Sequence, residues 1–138
     1  MITQNLINDI TYEIIGCAIE VHKELGPGLL ESVYEKCMVH LLTQNGIEVK
    51  SQLSVPINFK GLKLNSDLRF DLLVEDLVIV ELKTVETILP IHEAQLLTYL
   101  KLLEKPKGIL INFNCVNIFK EGQKTFVTKL FKELPKDY

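Results

Sequence analysis

The chain has 138 residues and a net charge of −3, with 47% hydrophobic and 24% charged residues. That length and balance fit one domain with its own core and exclude a disordered or strongly basic chain. No apolar run of about 18 residues is present, which excludes a helical membrane span, and Met1–Asn5 lack a basic stretch followed by an apolar core, so a secretory signal is not expected. The three cysteines, Cys17, Cys37 and Cys115, are far apart and form no CxxC pair, so reduced thiols in a cytoplasmic protein are expected rather than disulfides or zinc.

Residues 3–25 are predicted helical, with Ile7, Ile10, Ile14, Ala18, Val21 and Leu25 at helical spacing and Gly26-Pro27-Gly28 as the stop. A second helix is predicted over 29–45, with an apolar face of Leu30, Val33, Tyr34, Cys37, Met38, Leu41 and Leu42. The period then becomes two: Ile47, Val49, Leu53, Val55, Ile57 and Phe59 alternate with mostly polar residues, a strand with one buried face. Pro56 places that strand at an edge or a bulge. Lys60-Gly61 turns into a second strand that passes Leu62, Leu64 and Asn65-Ser66 and runs from Leu68 to Val74, and Glu75-Asp76 turns into a third, Leu77 to Thr84.

A third helix is predicted over 91–104, its main stripe Ile91, Ala94, Leu97 and Leu100, with Leu96 and Leu103 beside it. Gly108 to Phe113 is a continuous apolar run, expected as a central strand. A last hairpin is expected, Val116–Phe119 against Thr125–Phe131 around Glu121-Gly122. The fold class is therefore α/β or α+β with a mixed sheet.

Asp71, Glu81 and Lys83 interrupt the second and third strands. Two carboxylates and an amine on an apolar hairpin are costly without a partner or a metal. Glu81 and Lys83, two apart, share a face with Ile79, while Val78, Val80 and Leu82 face a helix. A two-residue loop would set Asp71 against Val80; a three-residue loop, Glu75-Asp76-Leu77, sets it against Glu81. An odd-length loop or a bulge is therefore predicted. Carboxylates so placed would need a shared proton or a cation between them, and hard oxygen donors suit Mg²⁺ or Mn²⁺. Such an ion acidifies a water into a nucleophile, which Lys83 would hold or deprotonate. The plain alternative is an exposed Glu81–Lys83 ion pair.

Three further residues join this candidate set: Glu31 at the start of the second helix, and Gln95 with Tyr99 one turn apart on the third. Tyr34 is a candidate brace for Glu31, or a core residue. His92 is a candidate facing the site, or an exposed helix-start residue. His22 and His40 receive no role.

At this point Asp71…Glu81-x-Lys83 resembles the D…(D/E)-x-K signature of the PD-(D/E)xK nuclease superfamily. Gln95-Leu-Leu-Thr-Tyr99 resembles the QxxxY motif of its RecB-type branch, and Gly28-Leu-Leu-Glu31-Ser-Val-Tyr34 resembles the motif of the small bacterial GxxExxY proteins. The resemblance covers about residues 10–120 and departs at Phe70, where the motif has proline. It implies a restriction-endonuclease-like αβββαβ core with an extra N-terminal helix and a C-terminal hairpin, within a single domain over 1–138. It also implies Mg²⁺-dependent cleavage of DNA, single-stranded or at end structures among the candidates. Asp71, Glu81, the Leu82 carbonyl and Glu31 would be metal ligands. Lys83 would orient water, Gln95 would shape the site, and Tyr99 and Arg69 would contact substrate.

Charge bears on partners. Residues 1–49 hold two lysines against seven acids, and residues 105–138 hold seven lysines against three acids. The basic C-terminal third could face a polyanion or simply be a solvated surface. Arg69 is the only arginine, and DNA enzymes usually carry a clearer basic footprint. This supports a second expectation, a weakly active or inactive binding module working as a homodimer or as a subunit of a nucleic-acid-processing complex. A nucleotide-handling enzyme is disfavoured because no Gly-rich phosphate loop is present.

Overall fold

Helical periodicity is realised first in α1 (Gln4–Leu25), which buries Ile7, Thr11, Ile14, Cys17, Ala18 and Val21 on one face. The Thr3 hydroxyl caps its start by accepting from the Leu6 amide at 3.0 Å, and Gly26 ends it at φ 71°, a conformation glycine adopts without a Cβ clash. In α2 (Glu31–Gln44) the buried face is narrower than expected, comprising Tyr34, Met38 and Leu42. Leu30 precedes the helix and is 73% exposed; it stays outside the core because α2 meets the sheet with a single i, i+4, i+8 row. The computed structural model describes residues 1–137, with the side chains at 65–67 outside that description; Asn65-Ser66, noted above in the second strand, fall among these.

Among the described residues five strands form one sheet in the order β1 (Val49–Phe59), β2 (Leu62–Val74), β3 (Val78–Lys83), β4 (Lys107–Asn112) and β5 (Gln123–Val127). β3 and β4 are parallel and the other neighbours antiparallel. A parallel pair needs a long crossover, and α3 (Pro90–Leu102) supplies it. β1 is an edge strand whose register shifts between Ser54 and Pro56, as Pro56 led one to expect. β4 is buried along its whole length.

The two sheet faces hold separate cores. Leu72, Val74, Val78, Val80, Leu82, Ile109 and Ile111 pack with α1 and α2. Phe70, Leu73, Ile79 and Leu110 pack with Leu96, Tyr99 and Leu100 of α3. The α3 stripe is thus a correction in part: Leu100 is buried as expected, but with Leu96 and Tyr99, whereas Ile91 is 66% exposed and Leu97 42%. Gly108 explains the choice. A Cβ there would lie 3.0 Å from methyls of both Leu96 and Leu100, so the bare backbone of β4 seats those two leucines and rotates the expected stripe outward.

The C-terminal pairing also differs from expectation. Residues 116–119 are not a strand; Ile118–Gly122 wind into a π-helical turn. Asn117 Oδ1 accepts from the Lys120 amide at 2.8 Å, and Glu121 Oε1 from the Val116 amide at 2.8 Å. These local bonds satisfy backbone donors that a hairpin would have used. β5 instead pairs with β4, and Lys129–Lys132 form a short helix, α4.

Candidate active site

The site begins with a loop length. Val74 pairs with Val78, Leu73 with Ile79 and Leu72 with Val80, which leaves Glu75, Asp76 and Leu77 as the turn. This is the odd-length connection that the sequence required, and continuing its register sets Asp71 against Glu81. Glu75 and Asp76 both adopt left-handed backbone, at φ 53° and 57°.

The β2–β3 ladder ends at Leu72 and Val80. Beyond it, side chains replace carbonyls. The Asp71 amide donates to Glu81 Oε1 at 2.9 Å, and the Leu82 amide donates to Asp71 Oδ2 at 2.7 Å. β2 continues against β1, and β3 against β4. The two carboxylates therefore sit in the fork where the strands part.

Glu81 is 6% exposed, which overturns the exposed ion-pair alternative. Burial foremost, and then the Asp71 charge, push its pKa up to about 7, against the opposing pull of the Asp71 amide and Lys83. Asp71 is also raised, first by burial and then by Glu35 and Glu31, while the Leu82 amide and Lys83 oppose. Near neutral pH such a pair holds a proton or calls for a cation. Lys83 is half-buried and acts on both carboxylates through space; the ion pairs among the described residues lie elsewhere.

Tyr99 is 4% exposed, and its hydroxyl is raised by burial, then by Glu81 and Asp71, so α3 turns it toward the pair. Gln95, one turn earlier, is exposed, and no polar contact among the described residues ties it to the carboxylates. Arg69 is exposed on β2 opposite Ser54, two residues from Asp71. His92 is engaged at the helix start: its Nδ1 accepts from the Leu89 amide at 3.0 Å and caps α3.

Glu31 stands exposed in the first turn of α2 and raises both carboxylates. Among the described residues no three His, Cys, Asp or Glu side chains gather into a metal-sized cluster. Glu31, expected as a third ligand, thus acts at electrostatic range, because the solvated helix end keeps it apart from the pair. The donor chemistry nonetheless fits a hard divalent ion: Asp71 and Glu81 offer carboxylate oxygens at one desolvated point, with no soft ligand between them.

Two residues of this site had no place in the sequence reading. Glu35 is the foremost charge acting on Asp71, and its Oε1 accepts from Gln52 Nε2 at 2.8 Å. The same nitrogen lies 3.4 Å from Asp71 Oδ1. Glu35 was detectable, being four residues after Glu31 and hence on the same helix face. Gln52 was not, because only its left-handed backbone, at φ 54°, aims it there.

Tyr34 does not brace Glu31. Its hydroxyl donates to the Gly26 carbonyl at 2.6 Å and accepts from the Leu29 amide at 3.2 Å, while its ring stacks on Phe113 at 4.2 Å. It clamps the turn that launches α2 and so sets where Glu31 and Glu35 begin. Tyr34→Phe is expected to lower stability by about 1–3 kcal/mol, since both turn groups lose their partner. A urea midpoint unchanged from wild type would refute the clamp.

Compared with known families, residues 8–126 match the model of the PD-(D/E)XK nuclease superfamily. No curated protein and no solved structure matches the chain.

Proposed function

On the premise that this chain belongs to the PD-(D/E)XK nuclease superfamily, we propose that it hydrolyses phosphodiester bonds in DNA, with Mg²⁺ or Mn²⁺ held by Asp71 and Glu81. The observation that supports this most is the opposition of buried Glu81 and half-buried Asp71, each bonded to an amide of the facing strand, beside Lys83. When bound, the cation supplies Lewis-acid polarisation of the phosphoryl oxygens and lowers the pKa of the attacking water.

The protein's own groups have separable tasks. Asp71 and Glu81 would hold the cation, and the Leu82 carbonyl, beside Glu81 on β3, would add an oxygen donor. Lys83 places a positive charge beside both carboxylates, where it orients the attacking water and offsets charge on the phosphate. Glu31, on the first turn of α2, would add negative charge toward the cation at electrostatic range. Tyr99, 4% exposed, keeps solvent from the carboxylates, and Gln95 and Arg69 contact substrate at the rim. Gly28, Glu31 and Tyr34 support the narrower assignment to the GxxExxY proteins. The chain acts as one domain over 1–138, in the cytoplasm; no helix among its described residues is long and apolar enough to cross a membrane.

The test is cleavage of single- and double-stranded DNA by the purified protein with Mg²⁺ or Mn²⁺. Cleavage should stop with EDTA and in Asp71→Ala; activity that persists unchanged in that variant would mark a contaminant. Mn²⁺ should also raise the wild-type melting temperature, since an ion at 100 times its Kd adds about 2.7 kcal/mol. It should not do so in an Asp71→Asn, Glu81→Gln double variant.

The absence of a third clustered ligand among the described residues and the single arginine favour a second reading, a binding module of the same fold working as a homodimer or as a subunit. Calorimetry separates the two: no Mn²⁺ heat at millimolar ion selects the binding module.

A further inference from the structure

A groove of about 690 Å³ lies between α2 and β1. One end is Glu35 and Gln52, the residues that join α2 to Asp71. From there it extends along α2 past Lys36 and His40 to Thr43, about 12 Å at the helical rise, with Ser51 on the facing strand. Beyond Glu35 its polar lining is an ammonium, an imidazole, hydroxyls and carboxamides. It contains no further acid, although residues 1–49 carry seven acids against two lysines; Lys36 is one of those two. Such groups are donors, the set that meets phosphate oxygens. No Phe, Tyr or Trp lines the groove, so it lacks the large aromatic platforms on which bases stack.

An independent observation marks the junction. Gln52 interrupts the β1–β2 ladder between Ser51 and Leu53, opposite Asp71, with φ at 54°. Left-handed backbone costs a non-glycine residue about 1–2 kcal/mol, and such strain persists where surrounding structure enforces it, commonly at functional sites. Here it turns the carboxamide out of the strand, so that Nε2 spans Glu35 and Asp71. The groove and the carboxylate fork thus share one side chain.

We propose that this groove seats the nucleic-acid strand on one side of the cleaved bond, with Lys36 and His40 on its phosphates and Gln52 handing the chain to the carboxylate pair. The proposal rests on the reading of that pair as a phosphodiester hydrolase. Contacts of this kind bind without sequence preference and release counterions.

The test is fluorescence anisotropy of labelled single-stranded oligonucleotides of several sequences, in EDTA, across a salt series. Lys36→Ala should reduce the slope of log K against log salt by about 0.7–1, equally for every sequence. His40→Ala should weaken binding further in combination, and Lys23→Ala, an exposed lysine on α1, should change nothing. A slope unaltered in the Lys36→Ala, His40→Ala double variant, or no binding by wild type, overturns the groove. Wild type that cleaves DNA yet shows no Lys36 dependence keeps the hydrolase and rejects the groove. Lys36-dependent binding without cleavage in any divalent ion keeps the groove and rejects the hydrolase.

Discussion

Lys83→Met should lower the rate of DNA cleavage by about 10²–10⁴-fold, the range associated with loss of a positioned proton-transfer or charge-stabilising group. Methionine keeps most of the aliphatic stem and removes the one cation that pulls down both Asp71 and Glu81. The fold should survive, because Lys83 sits at the end of β3 and is half-buried. The sign of the pH effect follows: without Lys83 both carboxylates titrate higher, so the acid limb of the cleavage profile moves to higher pH. Lys83→Arg should rescue poorly, since a planar, weakly hydrated guanidinium does not replace a compact ammonium. Single-turnover cleavage at saturating Mn²⁺ measures this. A Lys83→Met rate within threefold of wild type would end the role assigned to this residue.

Glu81→Gln should make the metal-free protein more stable at pH 8 while abolishing cleavage. In the fold the Glu81 pKa lies at about 7 instead of 4.5, so between those values the folded state binds more protons than the unfolded chain. Stability therefore falls as pH rises from about 4.5 to about 7, by about 3 kcal/mol for this group alone, and Asp71, also raised, adds in the same direction. Glutamine is already neutral and its carbonyl can still accept from the Asp71 amide. The variant's advantage should be greatest above pH 7 and vanish below about pH 4.5. Urea unfolding at pH 4.5, 6 and 8 reads it directly; a wild type whose stability rises across that window contradicts the electrostatics assigned to Glu81. Stability relinquished at a working site is a common trade.

Much of this site was legible from local chemistry. The interruption of two apolar strands by Asp71, Glu81 and Lys83 marked the hairpin, and side-chain parity reduced the question to whether the turn had two or three residues. Glu31 was visible from its place after a glycine-rich stop. Other features were hidden for identifiable reasons. α3 carries leucines around much of its circumference, so periodicity set Ile91, Ala94, Leu97 and Leu100 as the main stripe, and Gly108, on a strand distant in sequence, drew the buried face to Leu96 and Leu100. Tyr34 spent its hydroxyl on Gly26 and Leu29, a bond pattern that spacing from Glu31 does not reveal. Residues 116–119 had strand composition, but Glu121 and Asn117 capped them into a turn.

The sequence by itself determined the order of elements from α1 to β4, the alternation of faces along β3, and the dependence of the Asp71–Glu81 opposition on an odd-length turn. Each of these depends on backbone periodicity or on counting residues through a short turn. Only the tertiary structure decided that Glu81 is desolvated enough to titrate near neutrality, that Glu35 and Gln52 complete its surroundings, and that Glu31 stands off from the pair. Those outcomes depend on which surfaces exclude water from which charges, and this is settled when α2, β1 and the β2–β3 fork pack together.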